Sequence, residues 1–246
     1  MALAAVADPE RAVGAMRFFK TGPGQYGEGD VFIGVRVPDV RAVVKRFAGP
    51  PLSEVDVLMR SDIHEHRLAG LLILLAQFER ASRTSRTSRT SHTGHAHPRD
   101  DAERTALVDY YLELVHRNRV NNWDLVDASA PGILGAYLVD RPRDVLFELA
   151  ASDVLWHRRV AMVSTLGLIQ AGDASTTLEL AALLLDDTEP LMHKAVGWAL
   201  REVGKRIDRD LLIRFLDEYA KRMPRTALSY ATEHLSPEQR QAYRQR

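Results

Sequence analysis

Trp123 and Asp127 stand one helical turn apart in Asn121-Asn122-Trp123-Asp124-Leu125-Val126-Asp127, so an indole and a carboxylate share one helix face. Trp198 has Lys194 four residues before it and Arg201 three after it, in Lys194-Ala195-Val196-Gly197-Trp198-Ala199-Leu200-Arg201-Glu202. The third and last tryptophan is Trp156, in Leu155-Trp156-His157-Arg158-Arg159. A structural tryptophan normally has apolar neighbours a turn away, and two of these have charges instead. An indole beside a carboxylate, with another inside a basic stripe, suits a cationic ligand carried on a phosphate backbone. Damaged nucleic acid is such a ligand.

Each candidate has a plainer reading. Asp124 lies in the first turn of a helix capped by Asn122, where the helix dipole favours a carboxylate, so it has a sufficient structural explanation. Asp127 lies past that turn. It is either a carboxylate edged by an indole, with a strengthened attraction for any cation beside it, or an ordinary solvated or ion-paired Asp. Arg159 falls in the row Leu155, Arg159, Met162, Leu166 and must snorkel or pair, either with a buried carboxylate or with phosphate. Arg158 lies off that row and reads as exposed. Val196, Ala199, Leu200 and Val203 form a core row, opposite Lys194, Trp198, Arg201 and Lys205. That second row fits an indole packed against sugar or base, or Lys and Arg stems folded over a half-buried ring. Trp156 reads as a packing residue that positions Arg159.

Helices must carry these residues. Apolar residues recur at helical spacing over 104–117, 155–170, 175–186, 191–204 and 210–222, separated by breakers such as Gly172-Asp173 and Asp186–Pro190. The only β-rich run, Val31–Val37, is brief and ends at Pro38, which suits the first turn of a helix through Asp39–Phe47. The tryptophan motifs recur at roughly the period of helical repeats. The fold class expected is therefore all-α: a right-handed superhelical solenoid of antiparallel helix pairs, of HEAT-like or armadillo type, with a concave basic face. Residues 1–14 read as an N-terminal tail and 15–246 as a single domain. Within that domain, 82–100 reads as a disordered low-complexity insertion, because the Ser-Arg-Thr triplets carry nothing apolar to bury. His92, His95 and His97 lack a framework to hold a metal, and His64-Glu65-His66 has i, i+2 spacing that points the imidazoles apart on a helix.

Composition bounds the function classes. The 246 residues contain no cysteine, which removes disulfides and thiolate metal sites. No apolar run approaches the roughly 20 residues that span a bilayer, and the N-terminus lacks the pattern of a signal peptide, so a soluble cytoplasmic protein is expected. Lys plus Arg is 33 and Asp plus Glu is 33. Nucleic-acid binding at zero net charge requires the basic residues to be concentrated locally.

The chain resembles the AlkD-type DNA alkylation repair enzymes, HEAT-like helical-repeat DNA glycosylases. The match rests on Met16-Arg17-Phe18-Phe19-Lys20 with the Gly-rich Tyr26–Gly34 stretch, on Asn121–Asp127, Leu155–Val160 and Lys194–Lys205, and on Met223-Pro224-Arg225-Thr226. The resemblance implies hydrolysis of the N-glycosidic bond of cationic alkylpurines such as 3-methyladenine and 7-methylguanine in double-stranded DNA. A monomer that needs neither metal nor organic cofactor is expected. Asp127 matches the family's catalytic carboxylate, Trp123 and Trp198 its cleft aromatics, and Arg159 its DNA-contacting arginine. Lys194, Arg201, Lys205 and Arg225 are the further cations expected on DNA. Phe18 falls where the family has a tyrosine, keeping the ring without the hydroxyl, and Asn122 stands where some members carry another tryptophan. The main rival is a noncatalytic helical-repeat module that binds DNA or protein. A metal-dependent hydrolase is disfavoured by the lack of a coherent ligand set.

Overall fold

A computed structural model describes the backbone of residues 2–47, 49–89 and 98–246, with side chains for all of these except 84–89 and 98–100. The described residues are helical, with no named strand. The described chain divides into two compact units, Met1–Ser129 and Ala130–Arg246.

In the first unit Asp8 caps α1 (Pro9–Phe18) by accepting the N–H groups of Glu10 and Arg11, with Pro at the first turn. The expected tail over 1–14 is therefore helical from Pro9, and Leu3 and Ala12 are buried. The short helices α2 (Val37–Val44) and α3 (Leu52–Met59) follow. The long α4 (His64–Arg89) packs against both, and against α5 (Pro98–His116) and α6 (Trp123–Ser129). Leu68, Leu71, Leu74 and Phe78 recur along α4 and are buried, as are Leu107, Tyr111 and Leu114 of α5, which packs on it. Each such side chain contributes about 1.5–3 kcal/mol by leaving water. The helix continues through Arg89, into triplets expected to form a loop, and residues 90–97 of the insertion lie outside the described residues. The β-rich run makes one parallel bridge, Val31 to Ile63. Three of its N–H groups have a side-chain partner: the buried Glu65 carboxylate accepts from Ile33, Gly34 and Val35 at 2.8–3.1 Å. Extended backbone with a carboxylate for a partner needs no second strand.

The second unit opens with one turn of π-helix at Pro131–Gly135, then α7 (Asp144–Ala150), α8 (Leu155–Gln170), α9 (Ser175–Leu183) and α10 (Pro190–Arg206). It closes with α11 (Arg209–Tyr219), α12 (Arg225–Ala231) and α13 (Pro237–Arg244), whose N-terminus carries a Ser236–Gln239 capping box. Central α8 packs against the π turn, α7, α9 and α10, and its residues are buried continuously from Arg159 to Ile169. A helix covered on every face has no solvent row. Helix α10 packs in turn on α12 and α11. A Cβ on Gly197 would stand 2.4 Å from the Ala227 carbonyl oxygen, so only glycine permits that crossing. Among the described residues no helix is long and apolar enough to cross a membrane.

Candidate functional site

Helix α6 has seven residues, too few to be stable alone, so tertiary contacts must hold it. At its head Asn122 is fully buried. Its Oδ1 accepts the Trp123 N–H at 2.9 Å and its Nδ2 donates to Asp30 Oδ2 at 3.3 Å. Asp124 accepts the Leu125 N–H with Oδ1 and meets His64 Nε2 with Oδ2 at 2.8 Å. The other imidazole nitrogen, Nδ1, lies 3.0 Å from Asp30 Oδ2, and Arg67 donates to Asp30 Oδ1 at 2.5 Å. His64 is 1% exposed. Burial opposes its charge, but hydrogen bonds to Asp124 and Asp30 and their negative charge outweigh it, raising its pKa from 6.5 to about 9. His64 is thus an imidazolium at neutral pH that donates from both nitrogens. Asp30 is also costly to bury, yet His64 and Arg67 hold its carboxyl below the ordinary range. At the other end of α6, Ser129 Oγ lies 3.0 Å from the Tyr111 hydroxyl. Burial, then the nearby Asp127 charge, pushes the Tyr111 pKa well up, so the phenol stays protonated.

Aromatic rings continue outward from this network. Phe32 stacks on His64 with centroids 4.5 Å apart, Phe19 stacks on Phe32 at 4.9 Å, and Trp123 stacks on Phe19 at 5.2 Å with 13° between planes. Phe18 meets Trp123 edge-on at 5.8 Å and is 64% exposed. Trp123 and Asp127 are both half-buried. A cavity of about 450 Å³ beside the column is lined in part by Phe18, Phe19, Phe32, His64 and Asp124. Expected Phe18, Trp123 and Asp127 are therefore grouped in the first unit. The region offers aromatic surface with a carboxylate one turn along the helix, a combination suited to a cation.

The remaining candidates lie in the second unit. Trp198 is half-buried on α10, with Lys194 and Lys205 exposed and the row Val196, Ala199, Leu200, Val203 buried, as the periodicity requires. Arg201 is already ion-paired, with Glu233 and with Glu202 at 3.4 Å, and Arg206 binds Glu202 at 2.5 Å. Buried Glu202, costly to ionise there, is kept below the usual carboxylate range by Arg206, Arg201 and Lys205. Arg225 is exposed and donates to the Arg244 carbonyl at 2.7 Å. Arg159 is 4% exposed and donates to the Leu191 carbonyl at 2.6 Å, in the first turn of α10. Its row is enclosed by neighbouring helices, which leaves little guanidinium surface for a phosphate. Arg158, expected to be exposed, is instead bound to the buried carboxylate of Asp187 at 2.6 Å. Trp156 is buried, as a packing residue should be.

Sequence reasoning weighed His64 and Glu65 only as part of a rejected metal motif, did not single out Asp30, and assigned Asp124 only the role of a dipole partner. Position 64 is separated from 124 by sixty residues, and no local spacing signals that pairing. The one available sign was His64 at the head of an apolar helix, beside Glu65.

The family model described as DNA alkylation repair enzyme matches residues 1–235. Among solved structures, a protein described as "Predicted DNA alkylation repair enzyme from Enterococcus faecalis" is similar, with a TM-score of 0.65 at 18% sequence identity. The similarity covers 94% of this chain and 97% of that one. At that identity the likeness speaks for the all-α helical-repeat fold. No curated protein matches the chain. The match over nearly the whole chain places it: the protein belongs to the DNA alkylation repair enzyme family.

Proposed function

We propose that this protein is a DNA glycosylase that excises cationic alkylpurines, of the 3-methyladenine and 7-methylguanine type, from double-stranded DNA. The observation that carries the reading is the half-buried Asp127 one turn beyond Trp123, whose indole is itself packed by Phe18 and Phe19. An alkylated purine is positively charged and already a good leaving group, so no general acid is needed. As the bond from C1′ to the base nitrogen breaks, its electron pair neutralises the base, and positive charge develops on the deoxyribose. The Asp127 carboxylate stabilises that oxocarbenium ion and orients the water that adds to C1′, taking up or relaying its proton. Electrostatic stabilisation of this kind often dominates catalysis. The indole of Trp123 adds cation–π attraction of about 0.5–2 kcal/mol.

In this reading Trp198 lies against the sugar–phosphate backbone, with Lys194 and Lys205 on phosphates. Arg201 and Arg225 add charge beside their existing partners. Arg159 acts one step back, by holding the Leu191 carbonyl and so the start of α10. The protein works as a monomer, and its aromatic shelf tolerates bulky lesions.

The test is release of free base from a duplex containing 7-methylguanine by the wild type and by Asp127→Asn. Release by the former and far less by the latter supports the proposal. Equal release would remove Asp127 from its role. No release of several cationic lesions by folded wild type would favour a noncatalytic binding module.

A further inference from the structure

His64 is held on two sides by carboxylates and faced by an aromatic ring, and it is 1% exposed. Two routes connect it to Trp123. One is polar: His64 Nε2 binds Asp124, the next residue after Trp123, at 2.8 Å. The other is a stack of rings running from His64 through Phe32 and Phe19 to Trp123, at centroid spacings of 4.5, 4.9 and 5.2 Å. Asn122, the residue before Trp123, shares Asp30 Oδ2 with His64 Nδ1. Both backbone neighbours of Trp123 and one face of its ring therefore lead back to one imidazole. Two carboxylates at Asp30 and Asp124 balance two cations at His64 and Arg67, so the cluster is neutral only while His64 is charged.

We propose that His64 is a positioning residue that fixes the direction of the Trp123 indole, and with it the aim of Asp127 one turn later, by clamping the head of α6. The part concerning Asp127 rests on the glycosylase reading; the part concerning Trp123 does not. Without the imidazolium, Asp30 and Asp124 would repel each other, and a seven-residue helix has few other restraints at that end. A misplacement of about 1 Å can cost about a hundredfold in rate.

The charged groups around His64 are identified. Asp30 comes from the segment before α2 and Asp124 from α6, while Arg67 lies one turn along α4. Glu65 is engaged by the N–H groups of residues 33–35. Arg119, after α5, donates to the Met59 and Ser61 carbonyls beside Arg67. Among the described residues no further carboxylate is hydrogen-bonded to the ring.

The test uses the full-length protein. In nitrogen–proton NMR spectra, the Trp123 indole N–H, assigned with Trp123→Phe, should shift as pH rises through about 9. In His64→Gln it should start displaced and stay unmoved by pH. Single-turnover release of 7-methylguanine by His64→Gln should fall about tenfold or more, with duplex affinity within about threefold of wild type. Asp124→Asn, which retains an acceptor oxygen but loses the charge, should give a smaller displacement of the same resonance. An indole resonance indifferent to both variants and to pH overturns the proposal, whether or not base release is detected. If His64→Gln fails to fold, the wild-type titration and Asp124→Asn decide. If the resonance responds but wild type releases no base, His64 stands as the clamp of Trp123 and the glycosylase reading fails alone.

Discussion

The two units present a half-buried tryptophan on helices of very different kinds. Trp123 stands at the first position of seven-residue α6, whereas Trp198 lies in the middle of seventeen-residue α10. A helix of seventeen residues makes most of its own backbone hydrogen bonds and needs packing on one face only. Part of that packing is a close crossing, with Gly197 against the Ala227 backbone of α12. Its charges form ion pairs, such as Arg206 with the buried Glu202 and Arg201 with the exposed Glu233. The short helix is held instead by buried polar groups: Asn122, Asp124, His64 and Asp30 at one end, Ser129 and Tyr111 at the other. Buried ion clusters contribute little net stability but specify geometry when every partner is present. The indole beside the proposed catalytic carboxylate is thus the one fixed by directional bonds.

The sharpest way to break this contrast is at Asp127. Asp127→Asn should reduce base release by about a hundredfold or more, on the scale of losing one preorganised electrostatic group. Its melting temperature should stay close to wild type, because the side chain is half-buried on a helix pinned elsewhere. Gly197→Ala comes next and probes the packing side. The added methyl meets backbone, not a movable side chain, so the variant should lose about 1–3 kcal/mol in denaturant unfolding. Stability unchanged by that substitution would show that α10 and α12 can separate at little cost.

The pH dependence distinguishes the two units next. The folded pKa of His64, about 9, exceeds its unfolded value of 6.5, so its stabilising contribution is complete below pH 6.5 and is lost as pH rises through about 9. The depressed Asp30 pKa acts in the opposite direction, contributing above the ordinary carboxylate value of 3.8 and failing as pH falls below it. Wild type should therefore lose melting temperature between neutral pH and about 9, and His64→Gln should lose much less over that range. Parallel curves would show that the imidazolium is not what the first unit relies on. The smallest effects belong to the exposed lysines. Lys194→Ala and Lys205→Ala should each weaken duplex binding modestly and reduce the slope of log affinity against log salt by about one. A salt slope unaltered in both would remove α10 from the DNA contact.

Periodicity located the helices well because it reflects a local constraint. The segments 155–170 and 191–204 appear as Leu155–Gln170 and Pro190–Arg206, and the buried row of α10 is the one its sequence indicates. For Arg159 the row left a buried pairing and a phosphate contact both open, and its burial comes from the enclosure of α8 by its neighbours. At the N-terminus Asp8 and Pro9 start a helix within residues 1–14, and a capping residue followed by proline is the local signal for it. Asp124 shows a different limit. Its place in the first turn of α6 is legible, but its partner is not.

What the sequence by itself determined is several of the helices and which residues share a face: Trp123 with Asp127, and Trp198 with Lys194, Arg201 and Lys205. These follow from bonds and spacings within a few residues along the chain. Only the tertiary structure decided that Phe18 and Phe19 flank Trp123, that Arg159 is enclosed, and that His64 joins Asp30 to Asp124. Those arrangements depend on which distant segments pack together. A buried charge becomes stable only where such packing brings its partners within hydrogen-bonding distance.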